Sequence, residues 1–226
     1  MQVQTNAIVL SALKYKDSSL IVRCYTQNYG LQSYILHHVL KGKKGKLNAA
    51  YFQLLSQLEI HANHKTNQTL HTISEVKLHH AYQSLQTNIY KSTVVLFLAE
   101  ILQNVVIEEE KNIDLYHFIE TALLWYDLHE FNANFHLIFL LKLSKHLGIY
   151  PDVKKTHLNF FLHEKNNHKI TQLNTLLGIH FDTLNFIKIN AQTRNEILSE
   201  IINYFSVHLG GFKKPKSLDI LHNVFN

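Results

Sequence analysis

Two short apolar runs rich in β-branched residues, Ala7-Ile-Val-Leu-Ser-Ala-Leu13 and Leu20-Ile-Val-Arg-Cys-Tyr-Thr26, flank the turn-forming stretch Lys16-Asp-Ser-Ser19. Runs of this composition favour β-strands, and the polar residues between them favour a tight turn. The start of the chain is therefore predicted to form a β-hairpin. Asn28-Tyr-Gly30 supplies the next turn, so a third strand should follow it.

Alternating side chains extend this pattern as far as residue 80. A third strand is predicted over residues 31–39, a fourth over residues 51–62 and a fifth over residues 70–80. Five strands in about 80 residues fit a small closed barrel, and the five-stranded OB-fold is the leading candidate.

Beyond residue 82 the apolar period changes to that of helices. Steps of three and four residues predict helices around residues 94–105, 115–125 and 135–143. The chain is thus predicted to be an α+β two-domain protein. An N-terminal OB-fold barrel should occupy residues 1–81, and an all-α C-terminal domain should occupy residues 82–226.

The last third of the chain has fewer signals. Residues 152–169 show no periodicity and are predicted to be irregular. Thr193 and Glu196 have the spacing of a capping box, which predicts the start of a further helix. Gly210-Gly211 should end that helix, and a short helix over residues 217–225 should follow it.

Basic residues are concentrated at the N-terminal end. Residues 1–50 hold seven of the 22 lysines and arginines but only one of the 17 acids. Clustered cations bind polyanions because they release counterions from phosphates, so this asymmetry predicts a nucleic-acid-binding surface. A solvated positive face without a partner would have the same composition.

The segment Leu40-Lys-Gly-Lys-Lys-Gly-Lys-Leu47 is the most informative part of this basic region. Its glycines allow close backbone approach and its lysines supply mobile charges, a combination suited to a flexible phosphodiester chain. It lacks the Gly-Lys-Ser/Thr of a nucleotide-hydrolysing loop, and an ordinary solvated turn is the alternative. The predicted DNA-binding residues are the cations Lys14, Lys16, Arg23, Lys41, Lys43, Lys44 and Lys46.

Aromatic residues lie between these cations and are candidates for stacking on bases. Aromatic residues in strands are more often part of the core, so at most two of them are expected to stack. The candidates are Tyr15, Tyr25, Tyr29, Tyr34 and Tyr51.

Metal binding and catalysis are not predicted, and no cofactor is expected. The pairs His37-His38 and His79-His80 should point to opposite faces of a strand, which separates possible ligands. The single cysteine, Cys24, excludes a four-cysteine zinc site and is predicted to be a small buried side chain. The run of acids over residues 108–110 is typical of a solvated helix end. No signal peptide or membrane-spanning run is apparent, so a soluble cytoplasmic protein without membrane contact is expected.

Several short motifs occur in an order that resembles the bacterial recombination mediator family RecO. They run across nearly the whole chain with appropriate gaps. The motifs are Ala7-Ile-Val-Leu10, Asp17-Ser-Ser-Leu20, Thr26-Gln-Asn-Tyr-Gly30, Lys41-Gly-Lys-Lys44, Ala99-Glu100, the stretch from Phe135 to Leu147-Gly-Ile-Tyr-Pro151, Leu209-Gly-Gly and Lys216-Ser-Leu218.

The resemblance implies an OB-fold, a helical second domain, binding of single- and double-stranded DNA, annealing of complementary strands and help in loading recombinase on protein-coated DNA. It implies RecR and the C-terminal tail of the single-stranded DNA-binding protein as partners, and the tail is expected near Lys142 and Lys145. Many family members carry a four-cysteine zinc finger after the motif that ends here at Pro151, and this chain does not. Packing among residues such as Leu158, Phe160 and Leu173 must replace it, or it is dispensable.

Two other functions fit the same residues. One is a general OB-fold module that binds RNA, and the other is a scaffold that binds acidic protein tails.

Overall fold

The computed structural model describes residues 1–40, 47–151, 173 and 175–225. The first 80 residues form a closed barrel with the order β1-β2-β3-β5-β4, in which β3 and β5 are parallel and the other pairs are antiparallel. The predicted OB-fold barrel is confirmed. Its strands are β1 (Gln2–Tyr15), β2 (Ser19–Thr26), β3 (Gly30–Leu36), β4 (Gln57–Asn63) and β5 (Leu70–His80).

β1 is long enough to pair with β4 along its first half and with β2 along its second half. The register shifts between Val9 and Ser11, so Leu10 is an extra residue opposite β2. Such a bulge interrupts the strict alternation of side chains. Leu10 and Ser11 therefore both face outward, whereas Val9 lies in the barrel core.

Two strands are shorter than the sequence predicts. β3 ends at Leu36 rather than continuing to residue 39, because the backbone turns away at His38, whose φ is 61°. β4 begins at Gln57 rather than at residue 51. The residues before it form a 3₁₀ turn at Ala49–Tyr51, and Leu55 then takes a φ of 59°. Positive φ at residues other than glycine breaks a strand.

The three predicted central helices are confirmed, and the helices over residues 191–208 and 218–225 are among the described elements that follow them. An asparagine side chain caps the N-terminus of α1, α2 and α4 by accepting backbone N–H groups. The predicted capping box at Thr193 is wrong, because Asn190 caps this helix and Thr193 lies in its first turn. The helices are α1 (Ile89–Val105), α2 (Ile113–Leu128), α3 (Phe135–His146), α4 (Ala191–His208) and α5 (Leu218–Phe225). Among the helices within these ranges, none has the length and apolar character needed to cross a bilayer.

One hydrophobic core joins the barrel to the helices. Ile8, Leu10, Tyr25 and Leu31 are buried on the outside of the barrel in the same cluster as the apolar residues of α1, α2 and α3. A second cluster fills the barrel interior, where Val22, Cys24 and Tyr34 are fully buried. Because the two parts share a core, the division at residues 81 and 82 stays a prediction.

A polar network fixes the connection between β5 and α1. The carboxylate of Asp127, at the end of α2, accepts the backbone N–H groups of Gln83, Ser84 and Leu85 at 2.8–3.0 Å. The buried ammonium of Lys91 donates to the carbonyl oxygens of Tyr126, Asp127 and His129, which end α2. These contacts satisfy helix-end carbonyls and hold the connection against the helices.

Candidate nucleic-acid interface

The outer surface of β1, β2 and β3 is divided into two halves. The covered half is formed by Ile8, Leu10, Tyr25 and Leu31, which pack against the helices. Direct hydrogen bonds reinforce it. The Tyr25 hydroxyl donates to the Asn112 carbonyl at 3.1 Å, and Gln103 Nε2 donates to the Leu10 carbonyl at 2.8 Å.

The free half lies at the other end of the same strands. Leu13, Ile21 and Ile35 face each other across β1, β2 and β3, and they form an outward row that the described helices do not cover. Leu13 is 65% exposed, and the two isoleucines are partly exposed. Arg23 lies in the adjacent row between Ser11 and Ser33. An uncovered apolar row beside a cation is typical of a binding surface.

Lys14 and Lys16 add positive charge at the edge of the free half. Both are exposed, and the Lys16 Nζ lies 5.3 Å from the centre of the Tyr15 ring. Within the described residues, each ion pair closer than 4 Å uses a histidine as its positive partner. Lys14, Lys16 and Arg23 therefore have no carboxylate partner there, and their charges are available to a polyanion.

The lysine-rich segment starts beside the turn between β1 and β2. The Leu40 backbone N–H donates to the Ser18 carbonyl at 3.1 Å, and the Ser18 hydroxyl lies 3.3 Å from His38 Nδ1. Leu47, on the other side of the segment, packs against the barrel core. The predicted DNA-binding residues Lys41, Lys43, Lys44 and Lys46 lie outside the described residues.

Most of the tyrosines predicted as stacking candidates are not available. Tyr25 and Tyr34 are buried, and Tyr29 and Tyr51 pack against the barrel core. Tyr15 is 39% exposed and lies at the end of β1 beside Lys16. The apolar row of Leu13, Ile21 and Ile35 was not predicted as a site, because nothing in a strand's alternation distinguishes a covered outer residue from an uncovered one.

Three acidic residues lie next to the covered half, at the turn between β2 and β3. The exposed residues Glu108, Glu109 and Glu110 follow α1, and their backbone packs against the turn between β2 and β3. Gly30 makes this contact possible, since an added Cβ would lie 2.5 Å from the Glu110 carbonyl oxygen. Its φ of 62° also favours glycine. Negative charge therefore lies beside the covered half, and uncompensated positive charge lies on the free half.

The single cysteine does not fit a metal site. Cys24 is fully buried in the barrel, and burial raises the pKa of its thiol to about 12. A four-cysteine finger cannot be built from one buried thiol.

The prediction that His79 and His80 point to opposite faces is wrong. Gln57 pairs with His80 and Leu58 pairs with Leu78, so His79 is an extra residue in β5. This bulge brings the two imidazole rings together, with their centres 4.3 Å apart. The rings of the other predicted pair, His37 and His38, are also near each other, with centres 6.3 Å apart. Both residues lie beyond the end of β3, so strand alternation does not apply to them.

In the helical part, a lysine of α3 lies over an aromatic ring. Lys142 Nζ lies 5.6 Å from the centre of the Phe181 ring, and Lys145 is exposed one turn further along α3. Burial, followed by the charge of Lys145, lowers the pKa of Lys142. The cation expected for a tail-binding site thus lies against an aromatic side chain.

Comparison with known proteins identifies the family. The family model described as "Recombination protein O N terminal" matches residues 1–82, and the one described as "Recombination protein O C terminal" matches residues 86–160. Proteins named DNA repair protein RecO from Flavobacterium psychrophilum and Flavobacterium johnsoniae are each 42% identical to this chain over the full length of both sequences. The chain belongs to the RecO family. The RecO protein of Bacteroides fragilis is 32% identical over the same extent.

Three motifs that carried the resemblance to RecO proteins have a structural role here. Gly30 ends the Thr26–Gly30 motif and admits the backbone of residues 108–110. Glu100 Oε2 accepts both the backbone N–H and the hydroxyl of Ser217, at 2.8 and 2.5 Å, just before α5 begins. The motifs around Glu100 and Ser217 are therefore in contact, although they lie 117 residues apart.

Proposed function

We propose that this RecO-family chain binds single- and double-stranded DNA on the free half of its barrel, anneals complementary strands and helps to load recombinase on protein-coated DNA. It acts in the cytoplasm as a mediator and not as an enzyme. The observation that supports this most strongly is the free half itself, where an uncovered apolar row lies beside cations that have no carboxylate partner among the described residues.

The proposed mechanism requires no covalent chemistry. Lys14, Lys16, Arg23 and the lysines of residues 41–46 neutralise phosphates on two strands and reduce their mutual repulsion. The apolar row and Tyr15 contact sugars and bases without selecting a sequence. Strands held side by side in this way can pair once complementary bases meet.

A charge placed in the apolar row tests this assignment. Leu13→Glu puts a carboxylate among the proposed phosphate contacts, and Leu128→Glu makes the same change at a leucine of α2 that is 58% exposed. Leu13→Glu should weaken oligonucleotide binding about tenfold, which is about 1.4 kcal/mol, and should slow annealing. Leu128→Glu should change neither. Equal effects of the two variants would exclude the free half as the DNA surface.

The lysine-rich segment is proposed as part of the same surface. Replacing Lys41, Lys43, Lys44 and Lys46 by Ala should weaken DNA binding nearly uniformly across sequences, since lysines position the backbone without identifying bases. Stability should change by less than about 0.5 kcal/mol. Fluorescence anisotropy with several oligonucleotides measures this, and unchanged affinity would mean that the segment is only a solvated turn.

The partners are proposed from the family. RecR is expected to act together with this chain, and the acidic tail of the single-stranded DNA-binding protein is expected to bind at Lys142 and Lys145, beside Phe181. A tail peptide should bind better than a charge-scrambled version, and Lys142→Gln with Lys145→Gln should remove the difference. No preference between the peptides would reject this site.

Two other functions can be separated from DNA mediation by direct competition. An RNA-binding module would prefer RNA to DNA of the same sequence, and a scaffold for acidic tails would bind the peptide more tightly than an oligonucleotide. We expect unlabelled DNA to compete for the bound oligonucleotide at least as well as RNA does. DNA should not displace the tail peptide, because the two proposed surfaces are separate.

A further inference from the structure

A histidine and carboxylate cluster lies where the barrel meets α2. His79 and His80 end β5, and Glu120 lies on α2. One ligand-type atom from each of these three side chains lies within 4.8 Å of the other two. We call these three residues the junction triad. The predicted DNA surface uses none of them.

The backbone holds the junction triad from both sides. The bulge at His79 directs the imidazoles of His79 and His80 to the same place. Gln57, which pairs with His80 across the barrel, donates from Nε2 to the Glu120 carbonyl oxygen at 2.8 Å. The ligands therefore come from two elements that are already tied together, which reduces the entropy cost of binding an ion.

The carboxylate of the junction triad lacks a strong partner. Glu120 Oε1 is buried and accepts no hydrogen bond of good geometry among the described residues, although His79 Nε2 lies 3.5 Å away and the Tyr116 hydroxyl interacts with this carboxylate. Oε2 lies 3.4 Å from His117 Nδ1, one turn earlier on α2. A buried carboxylate oxygen without a well-placed donor is costly, and a bound cation would remove this cost.

We propose that the junction triad binds one divalent transition-metal ion, with Zn²⁺ as the preferred ion, and that the ion links β5 to α2. Two imidazoles and one carboxylate form a usual zinc ligand set, with a water molecule in the fourth position. His117 would orient the carboxylate from its outer side, as residues around metal ligands commonly do. This site is unrelated to the four-cysteine finger of other family members and does not depend on the proposed DNA binding.

The junction triad needs only a small adjustment to hold an ion. The ligand atoms are within 4.8 Å of each other, whereas zinc bonds of about 2.0–2.2 Å would bring them closer together. Side-chain rotation at the exposed His79 can supply that movement.

The test uses the full-length protein after treatment with a chelator. Titration with ZnCl₂ should reveal one saturable site by calorimetry, and Co²⁺ should give visible absorption bands of an ordered site. Zinc should also raise the melting temperature, because it binds the folded chain across two elements. Glu120→Gln keeps the shape of the side chain and should weaken zinc binding more than about a hundredfold.

A matched control separates a built site from weak binding to surface histidines. His37→Asn with His38→Asn removes another adjacent histidine pair and should leave zinc binding unchanged. His79→Asn with His80→Asn should abolish it, and this second variant keeps the test valid if Glu120→Gln unfolds. The proposal is overturned if the wild-type protein has no saturable site, or if the control pair reduces zinc binding as much as the variants of the junction triad do.

Discussion

The covered and free halves of the barrel surface are formed by the same three strands, yet the helices cover only one of them. Tyr25 of β2 and Leu31 of β3 are buried against helices, whereas Leu13 of β1 is exposed and Ile21, at the other end of β2, is partly exposed. The strand pattern is the same in both. The two halves differ in what packs on them. α1, α2 and the connection between these helices pack against the covered half and do not contact the free half.

This difference separates stability from binding. Substitutions in the covered half should destabilise the protein, because they remove buried contacts or force the helices away. Substitutions in the free half should change stability little and DNA binding strongly. The predictions below concern the covered half, then the helices packed against it and finally the free half, and the expected effects on stability decrease from first to last.

Gly30→Ala should cause the largest decrease in stability. The added Cβ meets backbone atoms of Glu108, Glu109 and Glu110 at 2.5–2.8 Å, and the φ of 62° is unfavourable for alanine. We expect the free energy of unfolding in urea to fall by more than about 3 kcal/mol. Gly211→Ala is the matched control, because its φ is 78° and no atom lies within 4 Å of the new Cβ. The decrease there should be only about 1 kcal/mol. Equal decreases would mean that the packing of Gly30 against residues 108–110 is unimportant.

Asp127→Asn should destabilise the helical side by about 2 kcal/mol. Burial alone would raise the pKa of Asp127, but hydrogen bonds from the N–H groups of Gln83, Ser84 and Leu85 hold it below its usual value. The amide accepts these bonds more weakly and carries no charge to balance Lys91. Thermal unfolding measures the effect. A destabilisation no larger than that of Asp219→Asn, at an exposed carboxylate of α5, would contradict the role assigned to this network.

The stability of the helical core should fall in mild acid because of His136. Burial, then the charges of Arg194 and His222, lowers the pKa of His136 to about 3, so the folded state keeps the imidazole neutral. The unfolded state takes up a proton below about pH 6.5, so stability is complete above that pH and decreases as the pH falls toward the folded pKa. Between about pH 7 and about pH 5.5 this amounts to about 1 kcal/mol.

His136→Phe should remove this part of the acid sensitivity, since the ring packs between Phe97 and Phe225 and neither of its nitrogens has a hydrogen-bond partner among the described residues. Urea unfolding of both proteins at several pH values provides the measurement. His37→Phe, at an exposed histidine, should leave the pH dependence as it is. Parallel pH profiles for wild type and His136→Phe would contradict the assignment.

The strand and helix periods in the sequence were sufficient to predict the barrel, the first hairpin and the three central helices. They were not sufficient for the bulges in β1 and β5. The shift at Leu10 and the extra residue at His79 depend on how partner strands align, which local alternation does not contain. Because of the extra residue at His79, the junction triad could not be predicted, since strict alternation places its two histidines on opposite faces.

The candidate site was predicted only in part. Clustered charge indicated Lys14, Lys16 and Arg23, and the structure leaves these cations without carboxylate partners among its described residues. The apolar row of Leu13, Ile21 and Ile35 was missed, because its exposure is decided by helices that begin more than 50 residues later. Capping by Asn190 was missed because Thr193 and Glu196 imitate the spacing of a capping box.

The salt dependence of oligonucleotide binding tests the central claim most directly. A variant with Lys14→Gln, Lys16→Gln and Arg23→Gln should lower the slope of log affinity against log salt by roughly 0.7 for each single-strand phosphate that it no longer neutralises. A control with Lys111→Gln, Lys213→Gln and Lys214→Gln removes the same charge from exposed residues of the helical part and should keep the wild-type slope. The account predicts a reduced slope in the first variant alone. Superimposable slopes for that variant and the wild type would contradict it.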